Sequence, residues 1–148
     1  MKLYTIGFTK KSASAFFGLL HAHRIRLIID IRLHPDSQLS GFARKSDLPY
    51  FLSALVKAKY MHMVSLAPSE ELFQSYRKGG ITLELYRKEL MQCIKERTGL
   101  QECFSLVEKE NRVCLLCSEA SSNECHRSWI AEALVDMDTS RSLTIDHL

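Results

Sequence analysis

A cysteine, a glutamate, a second cysteine, a histidine and an arginine fall close together near the end of this chain, at Cys117, Glu119, Cys125, His126 and Arg127. They offer a nucleophile, an acid–base group, metal donors and an anion clamp. A thiol reacts as its thiolate, which a helix amino terminus and a neighbouring imidazole or guanidinium favour. A carboxylate directly after an apolar run needs water or a partner, and once held it can move a proton. Arginine binds carboxylates and phosphates through paired N–H donors. Each residue also has a purely structural reading: Cys117 as a small buried hydrophobe, Glu119 as half of an ion pair, and Cys125-His126-Arg127 as the start of a helix.

Asp30 and Arg32 form a second candidate group. Two residues apart on a strand, they share a face, so they could act together at its end or simply pin the sheet edge with a salt bridge. Ser37 follows in a loop and joins Arg32, His126 and Arg127 as a candidate substrate contact. Gly7, Thr9, Lys10 and Ser12 resemble an anion cradle at a helix start without the full phosphate-loop pattern. His34, His62 and His147 are weaker candidates, because a lone histidine on an apolar strand is more often a satisfied core residue.

Alternating strands and helices must position these groups. Apolar runs predict strands at Lys2–Ile6, Leu27–Arg32, Tyr60–Ser65, Val113–Ser118 and Ser142–His147. Between them, helical spacing joins Phe16, Leu19 and Leu20 behind a Thr9 or Ser12 cap, and Leu48, Phe51, Leu52 and Leu55 behind Asp47. From Pro68 to about Glu110 the chain reads as helix in three pieces, divided at Gly79-Gly80 and Gly99. Trp129, Ile130, Leu134 and Met137 follow on a last helix. This order predicts a single α/β domain over residues 1–148, a mainly parallel sheet with helices on both faces. Gly7, Asp30 to His34 and Cys117 to Glu119 then emerge at one carboxyl edge, where open α/β sheets bind ligands.

With 148 residues and 46% apolar composition, the chain can bury a substantial core. No signal-peptide pattern and no membrane-length apolar run stand out, so a cytoplasmic protein with no membrane partner is expected. Five cysteines is an odd count for a disulfide framework. Cys114 and Cys117 have C-x-x-C spacing, but positions three apart on a strand point to opposite faces and do not share a metal or a disulfide. The net charge of +3 is uneven: eight Lys/Arg against three Asp/Glu in residues 1–50, eight against five in 51–100, and four against nine in 101–148. An anionic partner therefore suits the first two thirds.

Several of these pieces together resemble the domain-of-unknown-function 488 family. They are Tyr4-Thr5-Ile6-Gly7; Ile29-Asp30-Ile31-Arg32 with Pro35, Ser37 and Gly41-Phe42; Leu66-Ala67-Pro68-Ser69-Glu70-Glu71-Leu72; and Leu115-Leu116-Cys117-Ser118-Glu119 with Cys125-His126-Arg127. The resemblance runs end to end and implies a compact α/β fold with a shared polar site, but no reaction. Where members often carry an Arg soon after the serine aligned with Ser37, this chain has Gln38.

The leading functional expectation is a small cytosolic enzyme acting on an anionic, phosphorylated or nucleotide-like substrate. Arg32 and Arg127 would bind the anion, Glu119 or Asp30 would move a proton, and Cys117 would be the nucleophile, with no cofactor assigned and no metal ligand. A nucleic-acid-binding module, using the basic first two thirds and the loop with Phe42 and Arg44, is a second expectation, although no recognised motif supports it. Metal binding through Cys117, Cys125 and His126, with Glu119, is a third; its spacing matches no standard structural zinc motif.

Overall fold

The apolar runs become five strands of one parallel sheet in the computed structural model, which describes residues 1–36, 41–118 and 124–148. Strands β1 (Lys2–Gly7), β2 (Leu27–Asp30), β3 (Lys59–His62), β4 (Val113–Cys117) and β5 (Thr144–His147) lie in the order β3-β2-β4-β1-β5. All four pairings are parallel, as crossover helices require. β2 and β4 are buried on both faces, which is why they read as continuous apolar runs.

The helices divide between the two faces. Helix α1 (Ala13–Ala22) and helix α2 (Leu48–Phe51, extended by a π turn over Leu52–Val56) cover one face. There Phe16, Leu20, Leu48 and Leu52 pack on Tyr4, Ile6, Ile28, Cys114 and Leu116. Helices α3 (Glu70–Arg77), α4 (Leu83–Glu96), α5 (Gly99–Glu110) and α6 (His126–Met137) cover the other. Tyr86, Leu90, Ile94, Cys103, Val107, Trp129 and Ile130 meet Leu3, Ile29, Leu115 and Cys117 there. Strand alternation therefore sends Cys114 and Cys117 to different cores, as their spacing requires.

Local chemistry sets the boundaries. Ser12, Ser69 and Thr82 each accept a backbone N–H three residues on, capping α1, α3 and α4. Asp47 departs from the expected role: its backbone is already helical and its side chain makes no capping bond. Gly99 can start α5 because a Cβ there would come within 2.6 Å of Ser65 Oγ, so the helix rests on the 3₁₀ turn Val64–Leu66. That turn also ends β3 earlier than the apolar alternation suggested.

Adjacent strands β1 and β4 send their following helices, α1 and α6, to opposite faces of the sheet. Such a place is a topological switch point, beside which open α/β sheets commonly bind ligands at the carboxyl edge. No helix among the described residues is long and apolar enough to cross a membrane.

Candidate active site

At the end of β2, Asp30 is fully buried and Arg32 is 3% exposed. The guanidinium grips the carboxylate in a fork, Nε to Oδ1 at 2.8 Å and Nη2 to Oδ2 at 2.6 Å. Arg32 also donates its backbone N–H to Oδ1, and Tyr60 on β3 donates its hydroxyl to Oδ2 at 2.7 Å. Those four bonds fill the acceptor capacity of a carboxylate. Burial first, and then the neighbouring Asp30 charge, raise the Tyr60 phenol well above its ordinary range, so it stays a donor.

Arg32 is held further by donating Nη2 to the Ala43 carbonyl and by standing over the Phe8 ring. Its Nη1 is buried and has no hydrogen-bond partner among the described residues. An unmade bond of this kind is costly and calls for a ligand or a water.

The second cluster joins the end of β4 to the start of α6. Cys117, Cys125 and His126 are all buried, and their donor atoms lie within 4.8 Å of one another. His126 Nε2 is 3.0 Å from the Ile31 carbonyl. A carbonyl can only accept, so that nitrogen carries a proton, and in the neutral ring Nδ1 keeps its lone pair. Nδ1 lies 3.7 Å from Cys117 Sγ. The Cys125 thiol is held protonated, chiefly by its hydrogen bond to Cys117 and by burial.

Both clusters contribute to one cavity of about 300 Å³, lined by Arg32, Cys117, Cys125 and His126 together with Leu33, His34, Ser118 and Glu124. Helices α3 and α4 close it with Phe73, Tyr76, Arg77 and Tyr86. Tyr76 and Tyr86 stack at 4.4 Å between ring centroids, so part of the cavity lining is aromatic. Larger surface hollows lie elsewhere, but none brings thiol, imidazole and guanidinium together.

Four of the expected residues, Cys117, His126, Arg32 and Asp30, thus converge on this edge, three of them in the cavity wall and Asp30 behind Arg32. Arg127 is 1% exposed and is not among the described residues of the lining. Glu119 and Ser37 lie outside the described residues. The cradle-like segment is spent locally: Thr9 bonds the Ser118 carbonyl and Ser12 caps α1. His62 Nε2 meets the Arg32 carbonyl at 2.8 Å, and His147 Nδ1 meets Thr5 Oγ1 at 2.6 Å, which accounts for both. Phe42, placed on a nucleic-acid-binding loop by the second expectation, packs against Phe16 and Phe17.

Sequence reasoning passed over the aromatic side and Tyr60. Phe73, Tyr76 and Arg77 recur at helical spacing and could have been grouped as one helix face. Nothing local marked Tyr60 as the third member of the Asp30 cluster, because that contact joins neighbouring strands.

Chemically, Arg32 in the cavity wall keeps one guanidinium nitrogen without a partner among the described residues. The same wall carries two sulfurs and an imidazole nitrogen within 4.8 Å of one another. The family model described as Domain of unknown function DUF488 matches residues 12–134. No curated protein and no solved structure matches the chain.

Proposed function

The chain belongs to the DUF488 family, whose description names no reaction, and from the geometry we propose an enzyme that acts on a small anionic substrate in the cavity at the carboxyl edge of the sheet. One observation carries this reading. The buried Arg32 has committed Nε and Nη2 to Asp30 and Ala43, its Nη1 has no hydrogen-bond partner among the described residues, and the residue shares a cavity wall with Cys117 and His126.

An anionic oxygen meeting Nη1 would complete the guanidinium's bonding through a charge-assisted hydrogen bond. Arg77 adds a second positive charge at the rim, and the stacked Tyr76–Tyr86 pair accepts a flat substituent such as a nucleobase. Asp30 in this reading is a positioning residue for Arg32, since its four bonds leave no lone pair for a substrate proton. Reactive groups are then drawn from Cys117, Cys125 and His126 in the same cavity.

Calorimetric titration with inorganic phosphate and with a nucleoside monophosphate tests the reading. Arg32→Lys keeps the charge but loses the fork and should weaken binding by about tenfold or more, the equivalent of roughly 1.4 kcal/mol. Arg77→Ala, at an exposed position, should weaken it less without disturbing the fold. Equal affinity in parent and both variants, with native circular dichroism, would sink the proposal.

A further inference from the structure

We propose that Cys117 Sγ, Cys125 Sγ and His126 Nδ1 are the three protein ligands of a divalent metal centre of the zinc class, with a fourth position facing the cavity. The inference goes beyond the anion-binding reading and does not depend on it.

Distance is the first argument. Around a tetrahedral zinc with Zn–S of about 2.3 Å and Zn–N of about 2.0–2.1 Å, a sulfur and a nitrogen ligand stand roughly 3.6 Å apart. Cys117 Sγ and His126 Nδ1 are 3.7 Å apart. All three donor atoms lie within 4.8 Å of one another, close enough for side-chain adjustment to bring them onto one cation.

Orientation is the second. Metal-bound histidines usually donate the remote ring N–H to a carbonyl or carboxylate, which fixes the tautomer and aims the other nitrogen at the metal. His126 does this through the Ile31 carbonyl on the neighbouring strand. The ring is therefore set by the main chain of the sheet, with Nδ1 turned toward the sulfurs before any ion arrives.

The donor set selects the ion. Two sulfurs and one imidazole disfavour calcium and magnesium, which require oxygen, and suit zinc and its neighbours. Among the described residues three protein ligands converge, the number that catalytic zinc sites use with a water or substrate in the fourth position. All three ligands also line the cavity that Arg32 borders, so an anion held there would lie next to the ion. Cys114 takes no part, being on the opposite face of β4.

The test uses the full chain, purified with its thiols reduced, stripped with a chelator and titrated anaerobically with Co²⁺. We expect saturation at one equivalent, with a thiolate-to-cobalt charge-transfer band and intense tetrahedral d–d bands, all displaced by Zn²⁺. Cys125→Ser and His126→Gln should each weaken Co²⁺ binding by more than the about 10–100-fold typical of losing an outer-shell partner. Cys93→Ser should leave it unchanged. Because a ligand variant could fail to fold, peptide-resolved alkylation of the parent supplies a second reading: Co²⁺ should protect Cys117 and Cys125 and leave Cys93 reactive.

Absence of the cobalt bands with all thiols reduced would overturn the proposal. So would full affinity in both ligand variants, or protection falling on other cysteines. Phosphate titration of the Co²⁺-loaded protein separates the two readings: bands without phosphate binding would remove the anion site alone, and phosphate binding without bands would remove the metal alone.

Discussion

Asp30–Arg32–Tyr60 and Cys117–Cys125–His126 stand at the same edge of one sheet, buried except for the half-buried Tyr60, and differ in how their donors are arranged. In the first, each carboxylate oxygen accepts two hydrogen bonds, and among the described residues only Arg32 Nη1 lacks a partner. In the second, one ring nitrogen is anchored to the main chain, while the remaining nitrogen and two sulfurs face each other. The lesson is that burial alone does not mark a reactive group. A cluster closed on itself holds geometry, and a cluster whose donors converge on a common point can receive a ligand.

The largest test of this contrast is Asp30→Asn. It leaves the Arg32 guanidinium buried without its counter-charge, and removing one partner of such a pair costs about 3–5 kcal/mol. Urea unfolding should show the loss as a lower midpoint at unchanged slope. Tyr60→Phe removes one charge-assisted bond to the same carboxylate and should cost about 1.5–3 kcal/mol. Cys125→Ser, in the open cluster, should cost clearly less than Asp30→Asn. A reversed order would mean that the cysteine cluster is the scaffold and the ion pair is dispensable.

Much of this layout was legible in the residues. Leu27-Ile28-Ile29 and Val113-Cys114-Leu115-Leu116 announce buried parallel strands because no polar residue interrupts them. Once the strands are parallel, Asp30, Arg32 and Cys117 must reach one edge, and the fork between Asp30 and Arg32 follows from their two-residue spacing. Arg127 was less readable. Its place beside His126 suggests the same destination, yet adjacent helix residues diverge by about 100°, and Arg127 is buried without being among the described residues of the cavity lining. Tyr60 and the Tyr76–Tyr86 stack escaped notice for a related reason. Such contacts join separate elements and leave no local pattern.

A smaller effect sharpens the contrast among the cysteines themselves. Burial raises the Cys114 thiol far above its ordinary range and pushes Cys103 up to about 12. Both should resist alkylation at pH 8 in the native protein, while the half-buried Cys93 reacts. Mass spectrometry of the labelled peptides reads each site separately. Rapid labelling of Cys114 would show that the α1–α2 face opens readily, and the assignment of Cys114 to an inert core would fail.

The finest comparison sets Asp30 against a second buried carboxylate, Asp138, just past α6. Asp138 has no guanidinium; it accepts from the Ser140 hydroxyl and from the backbone N–H groups of Ser140, Ser142 and Leu143. These bonds, the Ser140 hydroxyl foremost, hold its carboxyl down at about 2, below the usual 3.8. A carboxyl depressed in the folded state stabilises the protein above the unfolded value and loses that contribution as pH falls through the folded one. Asp138→Asn should therefore lower the urea midpoint at neutral pH, and its deficit relative to the parent should shrink between pH 4 and pH 2. A deficit constant across that range would show that Asp138 acts through shape and neutral hydrogen bonds alone. The loop joining α6 to β5 would then owe nothing to charge, and hydrogen bonds without a counter-ion would not suffice to hold a buried carboxylate ionised here.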